Sequence, residues 1–133
     1  MNEKLRSSVL SIALSVRQWT EEKATRAKYN PDTLCGWCAI AAAQLFRELQ
    51  RAKIPAELHY VSGHCFVVVD DYVVDVTATQ FDEFPKERVL IRHTKELSHL
   101  WFYVTEKVFL YPSELRDHQV KEKWPRKQIA YTR

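Results

Sequence analysis

Apolar residues recur at Leu5, Val9, Ile12, Val16 and Trp19, in steps of four, three, four and three. That spacing returns to one side of a 3.6-residue helix, so residues 3–27 are predicted to be amphipathic, with this stripe facing the core. The stretch "KYNPDTL" (28–34) breaks the period at Asn30-Pro31-Asp32 and reads as a loop. Helical pattern resumes at Trp37 and runs to Ala52. It is rich in alanine and leucine, with Leu45, Leu49 and Ala52 on one side, and Pro55 stops it. Its alanines allow close packing and leave little of the helix for solvent.

Downstream the pattern becomes β-branched and aromatic. "AELHYVS" (56–62), "HCFVVVD" (64–70) and "YVVDV" (72–76) are predicted strands, divided by Gly63 and by an Asp70-Asp71 turn. "RVLIR" (88–92) and "WFYVTEKVFLY" (101–111) add strand signal, with a short helical turn in "TKELSHL" between them. "PSELRDHQVKEKW" (112–124) reads as a last helix that starts near Pro112 or Ser113. Helices first and strands later predict an α+β fold, with N-terminal helices packed on a mostly antiparallel sheet. Residues 1–133 are read as one domain with one modest core.

Composition narrows the classes. A hydrophobic share of 46% with 28% charged residues is that of a folded globular chain, not a disordered one. No stretch reaches the roughly 18 apolar residues of a membrane span. The apolar run near the N-terminus contains serines, ends at Arg17 and lacks a small-residue cleavage site, so it is read as the first helix and not as a signal peptide. Residues 86–133 hold 11 Lys and Arg against 6 Asp and Glu, net +5, leaving net −2 for residues 1–85 of a total of +3. A basic C-terminal third is read as a solvated surface. Its aromatics do not follow a nucleic-acid motif, which argues against a nucleic-acid partner. Three cysteines are an odd and small number for a disulfide scaffold, which points to a reducing, cytoplasmic setting, or to delivery there as an effector or toxin.

Only two glycines occur, far below the usual share of roughly 7%. Gly36 lies two residues before Cys38, and Gly63 one residue before His64. Cys38 opens the second predicted helix, where unpaired N–H groups carry partial positive charge. Beside a histidinium, such a thiol can fall from about 8.5 toward roughly 3.5–7.5. If Asp70-Asp71 alone make the hairpin turn, Val69 faces Tyr72 and His64 lies opposite Thr77. Asp75 then shares a face with His64 at a diagonal of about 7–8 Å; a three-residue turn would separate them. With this register Cys38 is the candidate nucleophile, His64 the acid–base partner, and Asp75 the group that orients the imidazole. Amides at the helix N-terminus would hold the developing oxyanion. On this reading Cys35 is a packed neighbour and Cys65 a core residue on the face away from His64. No metal and no cofactor are expected.

Two other readings stand beside it. Cys35, Cys38, His64 and Cys65 are the right types for a zinc-binding or non-catalytic interaction module, although His64 and Cys65, adjacent in a strand, point to opposite faces. Cys35-Gly36-Trp37-Cys38 also has the spacing of a redox pair, but a loop precedes it where a βαβ unit would place a strand.

The stretch 36–81 resembles the core of the transglutaminase-like branch of the papain-like thiol fold, which includes papain-fold toxins and glutamine deamidases. The resemblance lies in Gly36-Trp37-Cys38 opening a helix, in Ile54-Pro55-Ala56, in His64 followed by Phe66, and in Asp75-Val76-Thr77. Val76 stands where proline is frequent, and Lys53 where glycine is common. The resemblance implies a thiol-dependent amidohydrolase or acyltransferase working through a thioester on a protein or peptide substrate, with glutamine side chains first and peptide amides second. Trp37, Gly36, Gln80 and Trp19 are the candidates for lining the site or donating to the oxyanion, with Gln18 and Tyr29 behind them.

Overall fold

The computed structural model describes residues 1–131. Helix α1 (Glu3–Arg26) starts at Asn2, whose side-chain oxygen accepts the Leu5 N–H at 2.8 Å, and carries Lys23 and Arg26 in its last turn. Its buried positions are Val9, Ala13, Val16, Arg17, Thr20 and Ala24, whereas Leu5, Ile12 and Trp19 of the expected stripe are only half-buried. The buried face is rotated from the apolar one because two polar side chains are satisfied inside. Thr20 donates its hydroxyl to the Val16 carbonyl at 2.8 Å, and Arg17 finds acceptors in the loops it faces. Spacing of apolar residues cannot register either.

Helix α2 (Cys38–Arg51) is buried from Cys38 through Ala43 and again at Leu45, Phe46 and Leu49. It lies between α1 and the sheet, and its alanines permit contact on both sides. The sheet has five strands, β1 (Glu57–Val61), β2 (His64–Val69), β3 (Tyr72–Asp75), β4 (Leu90–His93) and β5 (Lys107–Phe109), in the order β4-β3-β2-β1-β5. Every neighbouring pair is antiparallel. The α+β arrangement expected from the sequence is therefore present.

Register follows from the turn. Asp70 and Asp71 take φ of 51° and 65°, the two positive values a two-residue type I′ hairpin needs, and Val69 pairs with Tyr72. One sheet face, with Leu58, Tyr60, Cys65, Val67, Val69 and Val74, packs on the helices. The other, with Val61, Phe66, Val68, Val73 and Leu90, is covered by residues 78–103, including Phe84, Leu97, Phe102 and Tyr103.

The strand expected over 101–111 is not formed as such. Trp101–Tyr103 is a 3-10 turn, and only Lys107–Phe109 pairs, with β1. A strand would send Phe102 and Tyr103 to opposite sides, whereas the tight turn buries both over the second sheet face. Helix α3 (Pro112–Lys121) begins with Pro112, and Glu114 accepts the main-chain N–H groups of Leu110 and Tyr111 at 2.9 and 3.0 Å. Beyond it Lys123, at φ 57°, reverses the chain, and residues 124–130 run back to pack on α2.

Candidate active site

Three element ends meet. Cys38 is the first residue of α2, His64 the first of β2 and Asp75 the last of β3. The β2–β3 ladder stops at Val67 and Val74, so the two strands are unpaired at His64, and α2 packs against β2. His64 and Asp75 share the second sheet face, and His64 Nε2 lies 2.8 Å from Asp75 Oδ2. Both are buried, at 0% and 2% exposure.

The carboxylate is held from both sides. Oδ2 also accepts the Tyr103 hydroxyl at 2.6 Å, and Oδ1 accepts the Thr77 main-chain N–H at 2.8 Å and the Thr77 hydroxyl at 3.2 Å. Burial pushes the Asp75 pKa up, but the His64 charge and these donors outweigh it and hold the carboxyl below its usual range. Tyr103 in turn is pushed far above a normal phenol by burial and by the neighbouring carboxylate, so it remains a donor. With Nε2 committed to Asp75, Nδ1 is the nitrogen left to serve Cys38. It also lies 3.4 Å from Gln80 Nε2, and that amide is itself anchored on the Thr77 carbonyl at 3.1 Å.

The neighbouring Cys65 thiol pulls the Cys38 thiol down most; against burial, it and the His64 ring with its charge, helped by the Cys65 main chain, bring the thiol to about 5. Burial raises the Cys65 thiol, and the neighbouring Cys38 sulfur raises it further, so Cys65 stays protonated and donates. For His64, burial opposes the charged ring, but Asp75 and Cys38 together raise it to about 9. The two shifts run in the directions that favour a thiolate beside an imidazolium. No side chain caps α2, so the Cys38, Ala39 and Ile40 N–H groups lack helical partners beside the sulfur.

Family models, characterised proteins and solved structures were all compared with this chain, and none matches it. Function must therefore be argued from the site itself.

Among the other sequence candidates, Gln80 reaches the imidazole, and Gly36 sits at the approach to Cys38 at φ 89°. Trp37 and Trp19 do not face the site. Trp37 is buried with Leu34 and Ile40 and stands edge-on to Tyr29 at 5.7 Å, and Trp19 packs against the same cluster. Gln18, on α1, lies near Glu22 on an exposed face. Cys35 is exposed, not packed as expected, because the turn at Gly36 sends it outward while Cys38 goes in. Cys65 lies on the helix side of the sheet as expected, and there Cys38 is its neighbour because α2 packs on β2. Among the described residues, no group of three or more His, Cys, Asp or Glu side chains is arranged to hold a metal ion.

Sequence reasoning missed Tyr103, Thr77 and Arg17. Arg17 is 1% exposed and directs Nη1 to the Val76 carbonyl at 2.9 Å and Thr79 Oγ1 at 2.8 Å. Its Nη2 reaches the Pro31 and Asp32 carbonyls at 3.3 and 3.0 Å, and Nε pairs with Glu21 at 2.7 Å. It thus ties the segment after Asp75 to the loop before Cys38. An arginine four residues before a glutamate, set among apolar helix positions, was the one available signal.

Proposed function

We propose that this protein is a cysteine-dependent enzyme of the papain-like, transglutaminase-like kind, an amidohydrolase or acyltransferase acting through a thioester. The observation that carries the reading is the His64 Nε2–Asp75 Oδ2 contact of 2.8 Å, buried beside a thiol lowered to about 5. Structural histidines and aspartates pair as well, but they do not usually hold a thiolate at the start of a helix.

In the proposed reaction the Cys38 thiolate attacks the carbonyl carbon of an amide. The developing oxyanion is met by the free N–H groups at the start of α2. The His64 Nδ1 proton passes to the leaving nitrogen, which departs as ammonia from a glutamine side chain or as an amine from a peptide bond, leaving the thioester on Cys38. Water, deprotonated by Nδ1, then releases a carboxylate and restores the thiol; an incoming amine would release a new amide instead. Asp75 keeps the ring oriented and supports its positive charge throughout. The chemistry needs no cofactor. Glutamine side chains stand first as the substrate on the resemblance of residues 36–81.

Hydroxylamine tests this directly, since it converts a thioester into a hydroxamate. Glutaminyl and peptide-amide donors are incubated with the protein, and hydroxamate is measured. Hydroxamate from a glutaminyl donor, lost in Cys38→Ala, is expected. No hydroxamate from any donor, together with a Cys38 that titrates as an ordinary thiol, rules the reading out.

A further inference from the structure

Cys38 is 3% exposed and His64 0%, yet a reacting carbonyl must come within about 3–3.5 Å of the sulfur. Some part of the molecule therefore stands where substrate must go. Phe81 and Phe102 close one side of the imidazole, with centroids 4.8 and 6.2 Å from it. Those two rings stack on each other at 3.7 Å, and Phe102 is part of the second-face core, so that side is fixed.

A second part of the cover is different. Gly36, two residues before Cys38, and Gly63, one before His64, both have Gln128 as a neighbour. A surface groove of about 380 Å³ is lined by Tyr60, Ser62, Gly63, Trp124, Pro125 and Gln128. A Cβ placed on Gly36 would lie 3.2 Å from Gln128 Nε2 and 3.5 Å from Gln128 Cδ. The Gln128 carboxamide therefore rests on the main chain two residues before the sulfur, in a groove whose other wall is the turn leading into the imidazole.

We propose that residues 124–130 cover the acyl-donor approach to the thiol site, with the Gln128 carboxamide on Gly36 standing in for a substrate glutamine, so that the resting enzyme is closed by its own chain. This rests on the thiol-enzyme reading given above and adds its regulation. The segment is suited to release because it is fastened at few points. Gln119 of α3, fully buried, donates to the Gln128 carbonyl at 3.0 Å and accepts the Ala130 N–H at 2.8 Å. Ala130 inserts into the core, whereas Pro125, Arg126 and Lys127 are exposed. An extended glutamine-bearing peptide that enters between Gly36 and Gly63 would have to displace this segment. Binding of such a peptide and opening of the strap are then one equilibrium.

The test uses the full-length chain carrying Cys35→Ser, which removes the exposed thiol, and measures the rate of Cys38 alkylation by iodoacetamide across pH. Gln128→Ala removes the carboxamide at a half-buried position, and Gln119→Leu removes both fastenings. Each is expected to raise the alkylation rate at least about tenfold, with the pH midpoint of the reaction unchanged, since the donors to the sulfur are untouched. A low midpoint with the rate unaltered in Gln128→Ala overturns the strap and leaves the thiol enzyme standing. A midpoint near that of a free thiol, about 8.5, in the Cys35→Ser chain overturns both. Gln128→Ala changes a half-buried side chain where Gln119→Leu changes a fully buried one, and a thermal melt of each checks folding, so the outcome does not depend on the more disruptive variant.

Discussion

Removing the imidazole should move the titration of Cys38 more than it moves the reaction rate at any one pH. In the intact site the thiol titrates at about 5. His64→Ala deletes the ring's hydrogen bond and charge but leaves the Cys65 thiol and N–H in place. A hydrogen bond to a charged group contributes about 1.5–3 kcal/mol. At 1.36 kcal/mol per pKa unit this predicts an upward shift of about 1–2 units. Rate alone would mislead. For a thiol moved to about 6–7, the thiolate fraction at pH 7 falls by no more than about twofold. The intrinsic nucleophilicity of the more basic thiolate rises about 2.5- to 10-fold, at a Brønsted slope of about 0.4–0.5. Alkylation at pH 7 would then hold or rise while the imidazole's effect on the sulfur is lost. The assay is therefore a pH series, following thiolate absorbance near 240 nm or iodoacetamide alkylation in the Cys35→Ser background, with a thermal melt as control for folding. An intact-site midpoint near 8.5, or one that does not move in a folded His64→Ala protein, would show that the imidazole does not act on the sulfur.

Three further outcomes are expected. Amide turnover should be bell-shaped: the limb near pH 5 reflects protonation of the Cys38 thiolate, and the limb near pH 9 loss of the His64 proton needed by the leaving group; a plateau persisting well above pH 9 would contradict this assignment. Arg17→Met should cost at least about 3 kcal/mol in urea unfolding, because the acceptors at Val76, Thr79, Pro31 and Asp32 are left without their donor. Arg17→Lys should not restore it, since one ammonium cannot reach acceptors on both sides of the guanidinium, and Glu21, still paired with Arg88 at 2.8 Å, supplies no compensating orphan charge. Gly36→Ala and Gly63→Ala should each cost about 1–2 kcal/mol for a left-handed backbone, but only Gly36→Ala also strikes Gln128, so it should be the more destabilising when the two melts are compared.

What the chain discloses without coordinates depends on whether a feature is local. The Asp70-Asp71 turn sets the β2–β3 register by itself, so the common face of His64 and Asp75 could be worked out by counting residues. The helix beginning at Cys38 was equally visible from its composition. Tyr103 was not, because its neighbours read as a strand, and the 3-10 turn that aims it at Asp75 is imposed by the core beneath. The closeness of Cys65 to Cys38 depends on where α2 packs on the sheet, which alternation along the strand does not encode. Arg17 was hidden by the opposite problem: three of its acceptors are backbone carbonyls, and those leave no mark on a residue pattern.

That last feature sets how freely the protein's rim could be redesigned. Where a guanidinium grips a loop through its peptide oxygens, it is blind to the side chains there. Residues 31 and 32 can therefore be exchanged for others of compatible backbone shape while the anchor keeps its hold. Val76, gripped in the same way, is instead fixed by its place in the core.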